Sequence, residues 1–90
     1  MDIRHDMDNN RFVARTERGE AVLQYRRENE NALDYRSTVV PEPDRGQGIG
    51  EQLVLHALEW AKENGFEVNA SCPFVQSVLE EHPELQGVKA

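Results

Sequence analysis

The chain has 90 residues, 38% of them hydrophobic and 30% charged, which is an ordinary globular composition and enough for one small core. Ten lysines and arginines against 17 aspartates and glutamates give a formal net charge of −7, which argues against a surface built to neutralise nucleic-acid phosphates. With a single cysteine, Cys72, and no apolar N-terminal stretch or membrane span, the sequence predicts one cytoplasmic domain over residues 1–90, with neither nucleic acid nor a membrane as a partner. A monomer is the default expectation.

Apolar and polar residues alternate in three segments of the first half, which predicts three strands. The first two are residues 11–16 and 21–27, and the turn-forming stretch 17–20 joins them into a hairpin. A second turn at 29–31 leads into the third strand, residues 32–40, which two prolines end. Because short turns join neighbouring antiparallel strands, we expect a three-stranded antiparallel meander.

The apolar period changes after the third strand. Steps of three and four residues predict an amphipathic helix with its apolar face at Ile49, Leu53, Val54, Ala57, Leu58 and Ala61. Asn64-Gly65 ends this helix, and residues 67–71 predict a short fourth strand. A second helix follows over residues 74–82 and stops at Pro83, after which we expect a loose tail.

A strand, a helix and a strand in succession form a crossover unit. Such units are right-handed, and their two strands are parallel, so the third and fourth predicted strands are expected to be parallel neighbours. The sequence therefore predicts an α/β fold with a mixed α+β sheet: an antiparallel three-stranded meander, a β-α-β crossover and a C-terminal helix.

Three glycines, Gly46, Gly48 and Gly50, stand at alternate positions directly before the first predicted helix. The N-terminus of a helix has backbone N–H groups without partners and a positive partial charge, and glycines let an anion approach that backbone closely. Arg45 adds a forked cation beside them. A tight turn that only needs positive φ is the alternative, but the combination favours a phosphate-binding loop.

Two common phosphate-binding loops do not fit this stretch. A Walker A loop requires a lysine next to its last glycine, and there is no lysine between Val39 and Ala61. The glycine spacing also differs from the G-x-G-x-x-G fingerprint of dinucleotide-binding folds, which need a larger sheet than this chain can form. ATP and NAD are therefore not expected.

The pattern Arg45-x-x-Gly48-x-Gly50 resembles [RQ]-x-x-G-x-[GA], the pyrophosphate-binding signature of the GNAT N-acetyltransferase superfamily. The stretches RFVA, VVPEPDRGQGIGEQLV, ALEWAKENGFEV, SCPFV and HPE also resemble its minimal, single-domain branch, over about residues 4–86. The resemblance implies a minimal GNAT fold whose third and fourth predicted strands splay apart to admit the pantetheine arm of acetyl-CoA.

By the same resemblance, the function is transfer of an acetyl group from acetyl-CoA to an unidentified amine, on a small molecule or a protein. The net charge of −7 favours basic acceptors such as polyamines or lysine-bearing proteins. Two alternatives stay open. One is a coenzyme A-binding module or partner subunit without efficient catalysis of its own, and the other is a structural α/β domain without a ligand.

The resemblance also assigns roles to individual residues. Backbone groups of two strand residues are expected to pair with the pantetheine amides, and the loop N–H groups are expected to hold the pyrophosphate with an arginine at its edge. An aromatic side chain is expected to wall the cleft near the sulfur. The two strand residues are Val39 and Val40. The loop residues are Gly46, Gln47, Gly48, Ile49 and Gly50, and the arginine is Arg45. The aromatic residue is Phe74.

Catalytic candidates are fewer. Cys72 follows the fourth predicted strand near the expected thioester, so it is a candidate nucleophile that takes the acetyl group transiently; a buried cysteine that only packs is the alternative. His82 is a base, a contact to the nucleotide end of the cofactor or, as favoured here, a helix C-cap. The loop carboxylates Glu42 and Asp44 are expected to be exposed and are given no role. The histidine and cysteine spacings fit no zinc motif, so no metal is expected.

Overall fold

The structure of the protein is a computed structural model, and it describes residues 2–85. Five strands and two α-helices occur in that part of the chain. The strands are β1 (Asp2–Asp6), β2 (Arg11–Thr16), β3 (Gly19–Asn29), β4 (Ala32–Val39) and β5 (Glu67–Ala70), and the helices are α1 (Ile49–Glu63) and α2 (Pro73–Glu81). Short 3-10 turns lie at Met7–Asn9, Glu42–Asp44 and Pro83–Leu85. None of the described helices is long and apolar enough to cross a membrane.

The strands form one sheet in the order β1-β2-β3-β4-β5. Neighbours from β1 to β4 are antiparallel, whereas β4 and β5 are parallel and are joined through α1. The predicted mixed sheet, with its meander, its β-α-β crossover and its C-terminal helix, is therefore confirmed at the level of architecture.

Strand β1 is a correction to the sequence prediction, which has four strands. Its ladder with β2 runs from the pair Asp2 and Arg15 to the pair Asp6 and Arg11. The hydropathy pattern does not predict this strand, because Ile3 is its one aliphatic residue among charged neighbours. An imidazole takes the place of a second apolar side chain: the ring of His5 stacks on Phe12 with a centroid separation of 4.0 Å.

The same imidazole has a polar anchor. Its Nε2 lies 2.7 Å from the hydroxyl of Tyr25. Burial lowers the pKa of His5, the neighbouring charge of His56 lowers it further, and Asp6 opposes both. The tautomer of the ring decides whether Nε2 donates to the hydroxyl or accepts from it, and in either case this hydrogen bond helps to hold β1 at the edge of the sheet.

One hydrophobic cluster joins both helices to a single face of the sheet. Its largest fully buried members are Tyr35, Phe12, Leu23, Leu33, Leu53, Leu58, Val54 and Val75. Because side chains alternate along a strand, the residues between the buried strand positions point to the opposite face. Leu85 also joins the cluster, so the expected loose tail is wrong for residues 84–85; residues 86–90 lie outside the described part.

The ladder between β4 and β5 is short. It runs from the pair Ala32 and Glu67 to the pair Tyr35 and Ala70, whereas β4 continues to Val39 against β3. Where the ladder stops, the carbonyl oxygen of Tyr35 accepts two hydrogen bonds, from the N–H groups of residues 71 (3.1 Å) and 72 (3.2 Å). Within residues 2–85, β5 therefore offers no ladder partner to residues 36–39 of β4, at the place where the GNAT resemblance leads us to expect a gap between the strands.

Tyr35 also fixes the position of α1. Its side chain is fully buried, and its hydroxyl donates a hydrogen bond of 2.6 Å to the carbonyl oxygen of Ala57. Burial raises the pKa of this phenol far above its ordinary value, so the hydroxyl stays protonated and remains a donor.

Replacing Tyr35 with Phe is expected to lower the free energy of unfolding by about 1 kcal/mol, because the substitution removes a buried hydrogen bond and keeps the ring. The measurement is urea denaturation followed by circular dichroism. Tyr25→Phe is the matched control, since its hydroxyl bonds a partly exposed histidine, and we expect a smaller loss there. A Tyr35→Phe protein as stable as the wild type would contradict this account of α1.

Candidate functional site

The loop before α1 has two glycines that its backbone requires. Gly46 has a φ of +83° and Gly48 a φ of +79°, in the left-handed region that L side chains rarely adopt. Apart from its chain neighbours, a Cβ atom at either position would meet no atom of residues 2–85 within 4 Å. The glycines are therefore needed for the path of the chain, and the space above them is open.

The first turn of α1 has backbone donors to spare. Gly48 is the N-cap and offers no side-chain hydrogen bond, while its carbonyl oxygen accepts the N–H of Gln52 at 3.0 Å. Within residues 2–85, no protein group accepts a hydrogen bond from the N–H groups of Ile49, Gly50 or Glu51. These groups and the helix dipole point to an anion as the preferred ligand.

Gly50 has a different reason to be glycine. Its backbone is helical, but a Cβ atom there would lie 3.2 Å from Val40 Cγ2 and 3.3 Å from the ring of Phe74. A side chain would push these neighbours apart. The third glycine thus lets α1 begin close to both the end of β4 and the start of α2, a packing role that the sequence did not separate from the loop's backbone requirement.

A cavity of about 360 Å³ opens at this junction. Seven of the nine expected cofactor-binding residues line it, together with two carboxylates that sequence reasoning left out; the full lining is Val40, Asp44, Arg45, Gly46, Gly48, Ile49, Gly50, Glu51 and Phe74. The structure thus brings most of the expected residues together. Gln47 lines a neighbouring cleft instead, and Val39, which pairs with Val22 of β3, is absent from the lining.

Arg45 folds back onto the end of β4. Its Nε donates a hydrogen bond of 3.2 Å to the carbonyl oxygen of Val40. One guanidinium nitrogen therefore anchors the side chain at the cavity wall. The same bond occupies a carbonyl oxygen that the GNAT resemblance offers to pantetheine.

Asp44 is buried, with 6% of its surface exposed, which corrects the expectation of an exposed loop carboxylate. Its Oδ2 accepts a hydrogen bond of 2.7 Å from the hydroxyl of Thr16, at the end of β2. The same hydroxyl oxygen accepts the N–H of Arg18 at 3.2 Å, inside the β2–β3 turn. The hairpin turn thereby braces the glycine loop from the side, through a contact between residues 28 positions apart.

Three groups meet beside the cavity in a way that sequence spacing did not suggest. The ligand atoms of Glu51, Glu81 and His82 all lie within 4.8 Å of one another, and both glutamates are exposed. No metal was expected from the sequence, and exposed acidic groups often meet in this way without one. Their clear effect is electrostatic, because negative charge at the start of α1 opposes the binding of an anion.

Cys72 is buried at the N-cap of α2, just past the point where β4 and β5 separate. Its Sγ lies 3.8 Å from the hydroxyl oxygen of Thr38, a residue on the unpaired segment of β4. The cysteine is close to the expected pantetheine path but does not line the cavity. Among the described residues, no histidine or carboxylate hydrogen-bonds the sulfur.

His82 lies at the opposite end of α2 from Cys72. The intervening helix has nine residues and therefore spans roughly 14 Å, so the two candidate catalytic residues are not brought together. The backbone N–H of His82 bonds the carbonyl oxygens of Val78 and Leu79, and its Nδ1 lies 3.8 Å from Glu84 Oε2. This geometry is that of the favoured C-cap rather than of a base for the cysteine.

Gly48→Asn is expected to weaken coenzyme A binding about tenfold or more, or about 1.4 kcal/mol, because the amide would fill the open space above the loop. Asparagine tolerates positive φ better than other residues, so the fold is expected to survive. Gly65→Asn is the matched control: Gly65 has a φ of +75° and open space around it, at the other end of α1. Titration calorimetry compares the coenzyme A affinities of the two variants. Equal affinities would mean that coenzyme A does not bind at this loop.

Glu51→Gln is expected to tighten coenzyme A binding about two- to fivefold, because one repelling charge leaves the cavity wall. The gain is expected to shrink as salt is added. Glu59→Gln removes the same charge from an exposed position further along α1 and is expected to have a smaller effect. A weaker ligand affinity in Glu51→Gln would mean that this carboxylate serves the ligand instead of repelling it.

Comparison with known proteins bears on the family and on the fold. A family model described as GCN5-related N-acetyl-transferase matches residues 11–88. A GCN5-like protein of Staphylococcus aureus, solved by NMR in solution, superposes with a TM-score of 0.73 at 30% identity over 97% of this chain and 85% of that one.

Curated relatives cover a similar span. Protein NATD1 of Gallus gallus is 29% identical over 83 residues, which is 90% of this chain and 76% of the relative; Protein NATD1 of Danio rerio is 28% identical over 86 residues, which is 93% of this chain and 78% of the relative. Since the family match takes in β2 to α2 and the loop between β4 and α1, the chain belongs to the GCN5-related N-acetyltransferase (GNAT) superfamily.

Proposed function

We propose that the protein is an N-acetyltransferase that takes an acetyl group from acetyl-CoA and transfers it to an amine. Membership of the GNAT superfamily supports general N-acetyltransferase function. The observation that carries the proposal for this chain is the set of unpartnered N–H groups at the start of α1, beneath the open space over Gly46 and Gly48. These donors suit the pyrophosphate of coenzyme A, with Gln47 and Arg45 beside it.

The pantetheine arm then follows the open edge of β4. Among the described residues, none pairs with residues 36–39 on the β5 side, so an extended chain with amide groups can add there as a strand does. Val39 and Val40 lie on the route from this edge to the glycine loop. Phe74, with 42% of its surface exposed and its ring against Gly50, covers the apolar part of the cofactor.

The transfer itself is direct. A neutral amine attacks the carbonyl carbon of the thioester, and a backbone N–H at the unpaired segment of β4 stabilises the oxyanion. The C–S bond breaks, and coenzyme A leaves as a thiolate that takes up a proton. Starting from the ammonium form of the acceptor, the amine loses two protons, one of which the thiolate binds, so the products are the amide, the free thiol and one proton released to water.

Cys72 offers a second route to the same product. Its thiol loses a proton and its sulfur attacks the thioester carbonyl; the C–S bond to coenzyme A breaks, and the released coenzyme A thiolate takes up that proton. A neutral amine then attacks the acetyl-cysteine, whose C–S bond breaks, and the Cys72 thiolate takes up the proton that the amine loses. The sulfur lies next to the unpaired segment of β4, through Thr38. The missing histidine or carboxylate partner among the described residues favours the direct route.

The same missing partner is the specific observation behind a second candidate function. A coenzyme A-binding module, or a subunit that relies on another chain for its acceptor site, needs the loop and the strand gap but no base. For either function we propose one domain over residues 1–90 and a cytoplasmic location, where acetyl-CoA and a reduced cysteine coexist. For the enzyme we also propose a monomer, whereas the subunit alternative requires a partner chain.

The discriminating experiment is incubation with acetyl-CoA followed by intact-mass analysis, together with a panel of amines monitored by thiol release. The proposal expects saturable release of coenzyme A that depends on the amine. A stable acetyl adduct that Cys72→Ala abolishes supports the cysteine route, and full activity of Cys72→Ala supports direct attack. Saturable binding of coenzyme A, with no thiol released for any amine of the panel, would contradict the enzyme and support the binding module.

A further inference from the structure

Both described helices pack on one face of the sheet, so no helix within residues 2–85 covers the other face, although Val13 on that face is buried. We call it the uncovered face. Leu33 and Tyr35 point to the helices, and Asp34 between them points to the uncovered face. On β3 the same alternation puts Gln24 and Arg26 on the uncovered face, on either side of the buried Tyr25.

This face has a cavity where the register between β3 and β4 shifts. Gln24 pairs with Ser37 and Tyr25 pairs with Tyr35, so Arg36 is an extra residue with no counterpart on β3. The cavity measures about 530 Å³ and is lined by Asn10, Gln24, Tyr25, Arg26, Arg36 and Ser37. It begins at the residue where β4 loses β5 as a partner, and so lies next to the unpaired segment that we assign to pantetheine.

The two arginines of this cavity have no carboxylate partner in the described part of the chain. The salt bridges among residues 2–85 join Arg11 to Asp6 and His82 to Glu84. Arg26 stands opposite Asp34 in the ladder, but that carboxylate accepts hydrogen bonds from the N–H (3.0 Å) and the hydroxyl (2.8 and 2.9 Å) of Ser71. Two guanidinium groups thus remain available in a chain whose formal net charge is −7.

From this arrangement we propose that the cavity anchors an anionic group of the acetyl acceptor, so that the acceptor is a primary amine that also carries a carboxylate or a phosphate. Arg26 and Arg36 supply the planar, forked donors that suit such groups. This inference rests on the proposed acetyltransfer. It replaces the expectation of a basic acceptor, because the charge at the acceptor's own site is positive although the net charge is negative.

Asp34 lies outside the lining of the cavity, one residue before Tyr35 on β4. It bridges β4 to Ser71 at the point where the two strands part, on the same face as the arginines. Its carboxylate attracts the ammonium end of the acceptor toward the gap in the sheet, while the arginines hold the anionic end. The amine loses its proton to water before attack, and Asp34 acts here as a positioning residue.

The test compares two acceptors that differ by one carboxylate, phenylalanine and phenylethylamine, at fixed ionic strength. We expect the wild type to have a kcat/KM about tenfold or more higher for phenylalanine, mostly through a lower KM. Arg36→Gln and Arg26→Gln are each expected to reduce this preference severalfold, while Lys62→Gln, an equal loss of charge at the far end of α1, leaves it unchanged. An equal rate with both acceptors in the wild type, or an unchanged preference in both arginine variants, overturns the proposal.

A binding measurement separates this inference from the proposed enzyme. N-acetylphenylalanine has the anion but no amine, and we expect it to shift the amide resonances of residues 24–26 and 36–37 without coenzyme A, in the wild type and not in Arg36→Gln. If these shifts occur but no amine is ever acetylated, the anion site stands and the transfer fails. If amines are acetylated but the shifts are absent, the enzyme stands and the anion site fails.

Discussion

The architecture of the site depends on Tyr35, because this one residue fixes both the helix and the strand gap. Its hydroxyl holds the middle of α1 through Ala57, and its carbonyl oxygen takes the N–H groups of residues 71 and 72 as β5 turns away. The bond of the hydroxyl sets the distance of α1 from the sheet, and this position decides where the free N–H groups of the helix point. The bonds to the carbonyl oxygen end the ladder between β4 and β5, and so decide where the open edge of β4 begins.

With α1 placed in this way, the three glycines have two different roles, one in the backbone path of the loop and one in the packing of the helix start. Gly46 and Gly48 allow a backbone path that presents N–H groups to open space, whereas Gly50 lets the helix start against Val40 and Phe74. The bond between Thr16 and Asp44 then restrains the loop from the hairpin side. A loop restrained at these contacts loses little further conformational freedom when it binds an anion. More of the electrostatic attraction therefore remains as binding affinity.

The sequence predicted those features that depend on local pattern. The alternation of β2 to β4, the helical period of α1 and the glycines before it are each properties of neighbouring residues, and the structure has them. The features that it missed join distant residues: β1 is held by its ladder with β2 and by His5, Asp44 is buried by Thr16, and Glu51 meets Glu81 across two helices. Their signal is in the tertiary contact rather than in the spacing.

The bulge at Arg36 lies between these two cases. Nothing in the run Tyr35-Arg36-Ser37 breaks the alternation enough to reveal an extra residue, yet the register of β3 requires one. A bulge bends its strand and increases the local twist, and this one lies at the point where β5 leaves β4. The same residue therefore helps to open the gap in the sheet and sends a guanidinium group onto the face without helices. Because the described helices cover only one face of the sheet, a cofactor in the gap and an acceptor on the other face would meet through the gap. The acceptor would need no pocket between the sheet and a helix.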